Sequence, residues 1–459
     1  MNLPTNLAKS YNFERTMLDM EALNMMVDDE HVNDKPISRR QLLVSLGAAG
    51  IAAAAGAVFP NEVMAATTDS VYFNVKDYGA KGTGRMGEND AVFIQSAIDA
   101  ASPTGGTVFL PPGKYNIKSA IQLKSNVRLL GAGAEASVIK IDYDANGISM
   151  VSSLSEINYF AVEHLTFEGT GVPTGSSSYI QTERGILLQG VKNGLIANCI
   201  FKTIVNGVHL NNTTNVTVTG CTFRNVIGDG ANEGIGVLCQ SGSSVLIEGN
   251  RFKNVYKSGV QLQGGCSSAI ITGNWFDGCR SAAVNVMATE TSCSENIIAG
   301  NTITSSETDS AGPYGIFLSG YCVGNTIAGN LISKATKAGI RAAGAASAET
   351  ERPTANKIIG NTLKAVPTGV ELLNADDNTV TNNDFRNVDD GVVIDASADG
   401  VGGYSRRNYA VNNGFFQFAK NAVRIVSSRC EANGAFGNFG SGSGANLTDK
   451  GTGTATVGF

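Results

Sequence analysis

Histidine, tryptophan and proline are scarce in this sequence of 459 residues, which contains only 3, 1 and 10 of them. Scarce proline combined with 55 glycines favours many tight turns over a disordered, proline-rich chain. The sequence also lacks a basic excess, because its formal net charge is −6. Proteins that bind nucleic acids usually carry such an excess, so nucleic acid is not expected as a partner.

Cysteine is absent before Cys199, and none of the eight cysteines forms a Cys-x-x-Cys pair. No metal site is therefore indicated, and no cofactor is predicted. Cys199 and Cys221 occupy equivalent places in two successive repeats of the pattern described below. Neighbouring strands lie about 4.8 Å apart, slightly too far for a relaxed disulfide. We therefore expect mostly free thiols.

The apolar run at residues 42–58 falls short of the roughly 20 residues that a membrane-spanning helix needs. It follows the paired Arg39 and Arg40 and precedes small residues around Ala65. This layout is typical of a twin-arginine signal peptide and predicts a leader over residues 1–66. The mature chain is then periplasmic or secreted and not bound to a membrane. An uncleaved leader that anchors the chain is the alternative.

A repeat dominates the rest of the sequence. The segment IEGNRFKN at 247–254 returns as ITGNWFDG at 271–278, and related segments recur every 22 to 31 residues. Such spacings indicate a solenoid, and short segments rich in Val, Ile, Thr and Phe favour strands. We predict a ladder of asparagine amides between coils and a stack of apolar side chains two residues further on. The ladder positions are Cys199, Cys221, Asn250, Asn274, Asn301, Asn330, Asn361, Asn383 and Asn413, and the stack positions are Phe201, Phe223, Phe252, Phe276, Ile303, Ile332, Leu363, Phe385 and Phe415.

A second strand follows in each repeat and opens with Gly and then Ile or Val, as in SGVQLQG. Because side chains alternate along a strand, the residue after the Ile or Val should face outward. Stacking would align these residues in an exposed stripe, with a dent at Gly236, which has no side chain. The predicted stripe comprises Leu187, His209, Gly236, Gln261, Asn285, Phe317, Arg341, Glu371 and Val393.

Residues 71–117 contain the phrases DYGAKGTG, DAVFIQSAIDAA and GGTVFLPPGKY. They resemble the start of pectate lyase-like proteins, in the branch shared with rhamnogalacturonases, glycoside hydrolase family 28 relatives and phage tailspikes. The resemblance implies an all-β, single-stranded right-handed parallel β-helix over residues 67–430, with an N-terminal capping helix, and it allows a homotrimer. Residues 431–459 are predicted to be a Gly/Ser-rich tail. We expect Asp90 to cap the helix, whose apolar face comprises Val92, Phe93, Ile94, Ala97 and Ile98.

Neither the aspartate-rich triplets of polygalacturonases nor the D-P-H-E signature of mannuronan C5-epimerases is present, so no catalytic set transfers from the resemblance. Loop lengths suggest a site instead. Residues 169–183, 227–233 and 307–314 are long excursions predicted to project from one corner as walls around a groove. The predicted catalytic residues are Asp229, Glu233, His209, Lys257 and Arg280, and the predicted substrate-binding residues are Arg184, Gln261, Asn285, Asp309 and Tyr314.

Two carboxylates could act as acid and base or nucleophile in glycoside hydrolysis. Lys257, Arg280 or Arg184 could instead neutralise a uronate carboxylate during β-elimination. The sequence therefore predicts an exported enzyme that cleaves a polysaccharide, either as a lyase or as a glycoside hydrolase. The alternatives are a glycan-binding or exopolysaccharide-assembly protein without catalysis, and a uronate epimerase.

Overall fold

The computed structural model describes residues 72–145, 147–153, 155–173, 183–228, 233–305, 312–347 and 350–458. Within them the chain winds into stacked coils whose strands all pair in parallel, as the sequence predicted. A typical coil contains three strands, for example Lys192–Ala197, Ile200–Ile204 and Asn206–Asn211. These define the first, second and third columns of strands. The predicted leader lies outside the described residues.

The first column forms a sheet of 15 strands. Its members are Tyr72–Asn74, Gly106–Leu110, Val127–Gly131, Asn158–Glu163, Lys192–Ala197, Thr214–Thr219, Leu246–Glu248, Ile270–Thr272, Ile297–Ala299, Thr326–Ala328, Lys357–Ile359, Thr379–Thr381, Tyr409–Val411, Gly434–Phe436 and Ala455–Val457. The second column comprises Gly113–Ile117, Ser137–Ile141, Thr166–Glu168, Ile200–Ile204, Thr222–Val226, Arg251–Val255, Trp275–Cys279, Thr302–Thr304, Leu331–Ser333 and Phe439–Ser441.

The third column comprises Ile121–Gln122, Ser149–Ser153, Arg184–Gln189, Asn206–Asn211, Ile235–Gln240, Ser258–Gln263, Ala282–Ser294, Tyr314–Val323, Ala338–Ala343 and Ala445–Asp449. Three long strands bend across the corner and belong to both the second and third columns: Thr362–Leu373, Asp384–Asp395 and Gly414–Ile425. Ser405–Arg406 and Cys430–Glu431 pair in a separate two-stranded sheet. A 3-10 helix spans Tyr143–Ala145.

The predicted stack of apolar side chains is confirmed. Phe167, Phe201, Phe223, Phe252 and Phe276 lie on successive coils with ring centroids 4.7–5.0 Å apart and planes within 8° of parallel. Ile303, Ile332 and Leu363 continue the stack, and Phe385 and Phe415 complete it with a separation of 4.8 Å. Each coil therefore buries its apolar face only against its neighbours.

The predicted asparagine ladder is also confirmed. From Asn250 to Asn413, each side-chain amide donates to the side-chain oxygen of the next asparagine at 2.9–3.0 Å, and the ladder continues to Asn438. A second ladder, which was not predicted, contains Asn296, Asn325, Asn356, Asn378, Asn408 and Asn433, with amide hydrogen bonds of 2.9–3.1 Å. Two parallel ladders thus fix the spacing of the later coils.

All eight cysteines are free and buried. Burial raises the pKa of Cys279 to about 12, so this thiol stays protonated at neutral pH. The sulfur atoms of Cys239 and Cys266 lie 3.4 Å apart in the interior. The cysteines therefore act as small core side chains.

The capping helix spans Ala91–Ala101 and packs against the first strands of the fold. Asp90 occupies the N-cap position as predicted, but its carboxylate does not cap the helix, because it accepts hydrogen bonds from the backbone N–H groups of Lys81 and Gly82 instead. Val92 is also misassigned, since half of it is exposed. The buried positions follow the helical period from Ala91 and comprise Ala91, Ile94, Ala97, Ile98 and Ala101.

The coils continue beyond residue 430, where the sequence predicted a tail. Residues 431–458 contribute strands to all three columns and pair with the preceding coil, as Gly434–Phe436 does with Tyr409–Val411. Asn433 and Asn438 explain this, because they end the two ladders despite the Gly/Ser-rich composition around them. None of the described helices has the length and apolar character needed to cross a membrane.

Candidate functional site

The three long excursions leave the fold at the same corner, between the second and third columns. Gly169 and Ile227, each directly after its second-column strand, donate their backbone N–H groups to Lys202 O and Ile204 O. The third excursion lies between the second-column strand Thr302–Thr304 and the third-column strand Tyr314–Val323. On the returning side, Asn206 bonds to Glu183 and Tyr314 to Ser281 through their backbones. The described flanks of the excursions are therefore stacked along one edge, as predicted.

The register of the third column sets which side chains line the floor of the groove. It places Leu187, His209, Leu238, Gln261, Asn285, Phe317, Arg341, Glu371 and Val393 in one row. The predicted dent at Gly236 is wrong, because the residue between His209 and Gln261 is Leu238. Gly236 lies two residues earlier, next to Gly259. The floor is thus continuous between the polar residues on either side.

The prediction that His209, Gln261 and Asn285 are exposed is also wrong, since they are 1%, 3% and 5% exposed. One reason is that side chains on adjacent coils, about 4.8 Å away, cover one another along the axis. Gln261 Oε1, Asn285 Oδ1 and Ser258 Oγ are buried without a hydrogen-bond partner among the described residues. A buried polar atom without a partner costs about 1–3 kcal/mol, so these atoms are suited to receive hydroxyl groups of a ligand.

Two buried glutamates end the first and second excursions. Glu233, a predicted catalytic residue, is fully buried, and so is Glu183, which was not predicted. Glu183 Oε2 accepts hydrogen bonds from the N–H and the hydroxyl of Thr170 at 3.1 and 2.7 Å, and Oε1 accepts one from the N–H of Val205 at 3.3 Å. Glu183 therefore joins the start and the end of the first excursion to the next coil.

Burial raises the pKa of Glu183, and the charge of Glu233 acts in the same direction, whereas the hydrogen bonds from Thr170 and Val205 oppose them. Two nearby buried carboxyl groups tend to share one proton, because both cannot ionise cheaply. The pair can thus present one protonated and one ionised group. The sequence did indicate Glu183. Like Glu233, it stands at the end of an insertion, within two residues of the start of a third-column strand.

Three basic residues surround this pair of coils. Burial lowers the pKa of Arg184 to about 10 and the pKa of His209 to about 4, so His209 is neutral at pH 7. Burial also lowers the pKa of the half-buried Lys257. Arg184 lies on the coil of Glu183, while Lys257 follows Glu233 by one coil and donates its backbone N–H to Gly234. The structure therefore places Arg184, His209, Glu233 and Lys257 on four successive coils, with His209 three residues further along its strand than Asn206, the register partner of Arg184.

The remaining predicted residues lie further out. Arg280 is exposed, and its guanidinium stacks over the ring of Tyr256 at 5.9 Å. Tyr314 packs against Phe317 with centroids 4.8 Å apart, and its hydroxyl accepts a hydrogen bond of 2.7 Å from Arg341. Tyr314 thus belongs to an aromatic cluster at the far end of the groove. Asp229 and Asp309 lie outside the described residues.

Among the described residues, no group of three or more His, Cys, Asp or Glu side chains could hold a metal ion.

Comparison with known families places this geometry in context. Residues 72–308 match the family model described as rhamnogalacturonase A/epimerase, pectate lyase-like. Residues 299–457 match the model for right-handed β-helix regions, which agrees with the handedness expected from the sequence. The two matches together cover the described coils almost completely.

Individual relatives match smaller parts of the sequence. Alginate lyase 7 of Azotobacter vinelandii is 39% identical over 109 residues, which represent 21% of this chain and 12% of that protein. The A-module of mannuronan C-5 epimerase AlgE4 from the same organism superposes with a TM-score of 0.56 at 20% identity, over 84% of this chain and 100% of that chain. A mutant tailspike protein of E. coli bacteriophage HK620, solved in complex with a pentasaccharide, has a TM-score of 0.57 at 15% identity, over 81% and 79% of the two chains. At these identities the two structures establish the fold alone.

Proposed function

Because the chain belongs to the rhamnogalacturonase A/epimerase, pectate lyase-like family, we propose that it is an exported enzyme that cleaves a polysaccharide in the groove above the third column. The observation that carries this proposal is the buried polar cluster at the corner of the excursions. Glu183 and Glu233 are buried there, and the third-column strands of the following coils carry the buried, unpartnered amide oxygens of Gln261 and Asn285. Buried polar atoms without a hydrogen-bond partner lower the stability of a fold, whereas the hydroxyl groups of a bound sugar chain would supply the missing partners.

Hydrolysis is the chemistry that this cluster supports best. In glycosidases, one carboxylic acid protonates the leaving oxygen while a second carboxylate activates water or attacks the sugar. Burial raises the pKa of Glu183, which favours the protonated role, and Glu233 is then the candidate for the base or nucleophile. The backbones of the two residues are two coils apart, about 9.6 Å at the usual strand spacing. The Glu183 side chain shortens that gap by reaching one coil towards Glu233.

Elimination is a second candidate, supported by the basic residues of the same coils. A lyase neutralises the carboxylate of a uronic acid with a cation and removes the proton from C5 with a base. Arg184 would supply the cation, and the neutral His209 or Lys257, whose pKa burial lowers, would supply the base. Alginate lyase 7 and the mannuronan epimerases make acidic glycans the first substrates to test.

A glycan assay separates the candidates. Full-length protein is incubated with alginate, polygalacturonate and neutral glucans, and reducing ends and unsaturated-uronate absorbance are followed together. Release of reducing ends alone indicates a hydrolase, both signals indicate a lyase, and a change of C5 configuration without cleavage indicates an epimerase. Glycan binding without any of these changes on the whole panel would refute catalysis and leave the non-catalytic, glycan-binding alternative.

Replacement of the central carboxylate tests the residue assignment. Glu233→Gln should reduce turnover at least 100-fold, because loss of a general acid or base typically costs about 10²–10⁴-fold. Glu290→Gln is the matched control, since Glu290 is exposed and lies on a third-column strand away from the corner. Equal rates for the two variants would remove Glu233 from the mechanism. Cleavage of the leader and the homotrimer stay predictions, which N-terminal sequencing of exported protein and light scattering would test.

A further inference from the structure

The outer face of the second column carries a row of cations, although the whole chain is acidic. Lys140, Lys202, Arg224 and Lys253 occupy the same outward position on the strands that contain them, and the row also includes Glu168. Two residues earlier on the same face lie Lys114 and Arg251. We call these six cations the basic stripe. Its members come from residues far apart in sequence, so only the winding of the coils assembles them.

Acidic groups near the stripe do not neutralise it. Glu168 lies 2.9 Å from Lys140, 3.1 Å from Lys202 and 3.3 Å from Lys114, so one carboxylate is shared by three ammonium groups. Burial pushes the pKa of Glu168 upward, but hydrogen bonds from Lys140 and Lys202 outweigh it and hold the pKa at about 2. The low pKa of Glu168 therefore reflects an excess of positive charge around this carboxylate.

The C-terminal end of the stripe, at Arg224, Arg251 and Lys253, is its most exposed part. Arg224 pairs with the exposed Glu135 at 2.7 Å, whereas Arg251 and Lys253 are exposed and form no ion pair with any described residue. The row ends on the next coil at Asp277, which is buried. Two cations without an ion pair on the same face of one strand concentrate positive potential on a narrow strip of surface.

The only tryptophan of the chain lies at this end. Trp275 is half-buried on the coil after Arg251, and the Arg251 guanidinium lies 6.0 Å from the centre of its ring. The partly exposed ring of Trp275 therefore offers an apolar surface beside the cation of Arg251. This combination suits a ligand that has both a flat, weakly polar ring and a negative charge.

We propose that the basic stripe and Trp275 form a second, non-catalytic docking surface for a carboxylate-bearing glycan. The stripe lies on the second column, whereas the groove lies above the third, so the two surfaces are separate. Positions in the row recur about every 4.8 Å of coil stacking, and Glu168 occupies one of them. Duplex DNA carries one charge per roughly 1.7 Å, a much denser array. A polymer with one carboxylate per sugar matches the sparse row better, and the net charge of −6 opposes a densely charged partner.

This surface does not depend on catalysis in the groove. It would hold a long acidic chain on the protein whether the groove cleaves, epimerises or only binds. Docking should therefore survive Glu233→Gln, and loss of activity on every glycan would leave the docking test unaffected.

Trp275 allows docking to be measured locally, because no other residue contributes tryptophan emission. Full-length protein is titrated with polygalacturonate, with dextran as a neutral glycan and with duplex DNA, at about 50 and 200 mM salt. We expect polygalacturonate to change the emission and to bind more weakly at the higher salt concentration. An equal response to dextran would overturn the proposal, and so would tighter binding of DNA than of polygalacturonate at the same salt concentration.

Charge variants locate the site. The double variant Arg224→Gln/Lys253→Gln should bind polygalacturonate about tenfold more weakly and lower the salt slope by about 2, one for each cation removed. The matched control is Lys357→Gln/Lys450→Gln, which removes two exposed lysines elsewhere on the surface. Arg251→Gln provides a single-site check on the contact with Trp275. Identical titrations of the double variant and its control would overturn the proposal.

Discussion

Asn330 provides the sharpest test of how the coils are held together. Its side-chain amide donates to Ile298 O and to Asn361 Oδ1, both at 2.9 Å. Its Oδ1 accepts from the backbone N–H and from the side-chain amide of Asn301, both at 3.0 Å. The four bonds lie in the interior, since Asn330 is 1% exposed. Asn330→Ala therefore removes four hydrogen bonds from a site that water does not reach.

The expected cost follows from what each partner loses. The Asn301 N–H loses the partner that it has in the ladder, and a buried donor without a partner costs about 1–3 kcal/mol. The other three bonds contribute about 0.5–1.5 kcal/mol each, because Asn361 Oδ1 and the Asn301 amide keep a second partner. The free energy of unfolding should thus fall by about 2.5–7.5 kcal/mol, more than a typical single substitution.

Chemical denaturation of the full chain, followed by circular dichroism, measures this loss. Because repeat proteins can unfold in parts, the midpoint of the first transition is the quantity to compare. Asn446→Ala is the control, since Asn446 is an exposed asparagine in the strand Ala445–Asp449. If the two variants had equal midpoints, the ladder would not be a major source of stability and the reasoning would be wrong.

Three further predictions concern the core and the titrating groups. Phe223→Ala should lower the free energy of unfolding by about 3–5 kcal/mol because it opens a cavity in the stack, whereas Phe416→Ala, at a partly exposed ring, should cost much less in the same denaturation assay. The pKa of Glu168 is held at about 2, so its stabilising contribution is present above the ordinary value of 4.5 and is lost as the pH falls towards 2; Glu168→Gln should remove this part of the acid-unfolding curve. Burial lowers the pKa of His209 to about 4, so the unfolded chain takes up its proton first and stability should fall as the pH drops from 6.5 to 4; His209→Gln should flatten that window in thermal melts at each pH.

The regular interior could be predicted because it repeats. Each Asn in the first ladder from Asn250 to Asn413 is followed two residues later by an apolar side chain of the stack, so one spacing marked both features. The second ladder carried an equally clear signal that was overlooked. Every member lies five residues before a member of the first ladder, as Asn296 does before Asn301 and Asn433 before Asn438.

The floor of the groove was harder to predict, because alternation along a strand cannot detect an offset of two residues. The segment GIGVLC contains two glycines, and a strand pattern counted from Gly234 puts Gly236 in the outward row. Only the pairing of Val208 with Val237 shows that Leu238 is the residue in that row. Side-chain alternation shows which face of the sheet a residue lies on, whereas the register shows which residue of the adjacent strand lies next to it.

Burial of the polar residues depends on groups that are remote in sequence, so no local pattern indicates it. His209 and Gln261 follow the same alternation as exposed strand residues elsewhere, yet they are enclosed. Glu183 was missed for a similar reason. Its importance lies in contacts with Thr170 and Val205, which lie 13 residues before it and 22 after it.

The solenoid separates the parts that give stability from those that carry chemistry. The ladders run along corners defined by short, regular turns, whereas the excursions and the buried glutamates lie at the corner between the second and third columns. Each coil contacts only its neighbours, so an insertion at this corner changes the groove without disturbing the rungs. The basic stripe is a third independent feature, since its cations occupy equivalent outward positions on successive strands of the second column. A fold built this way can change the chemistry at one corner while its coils stay the same, because function depends on the site and not on the fold.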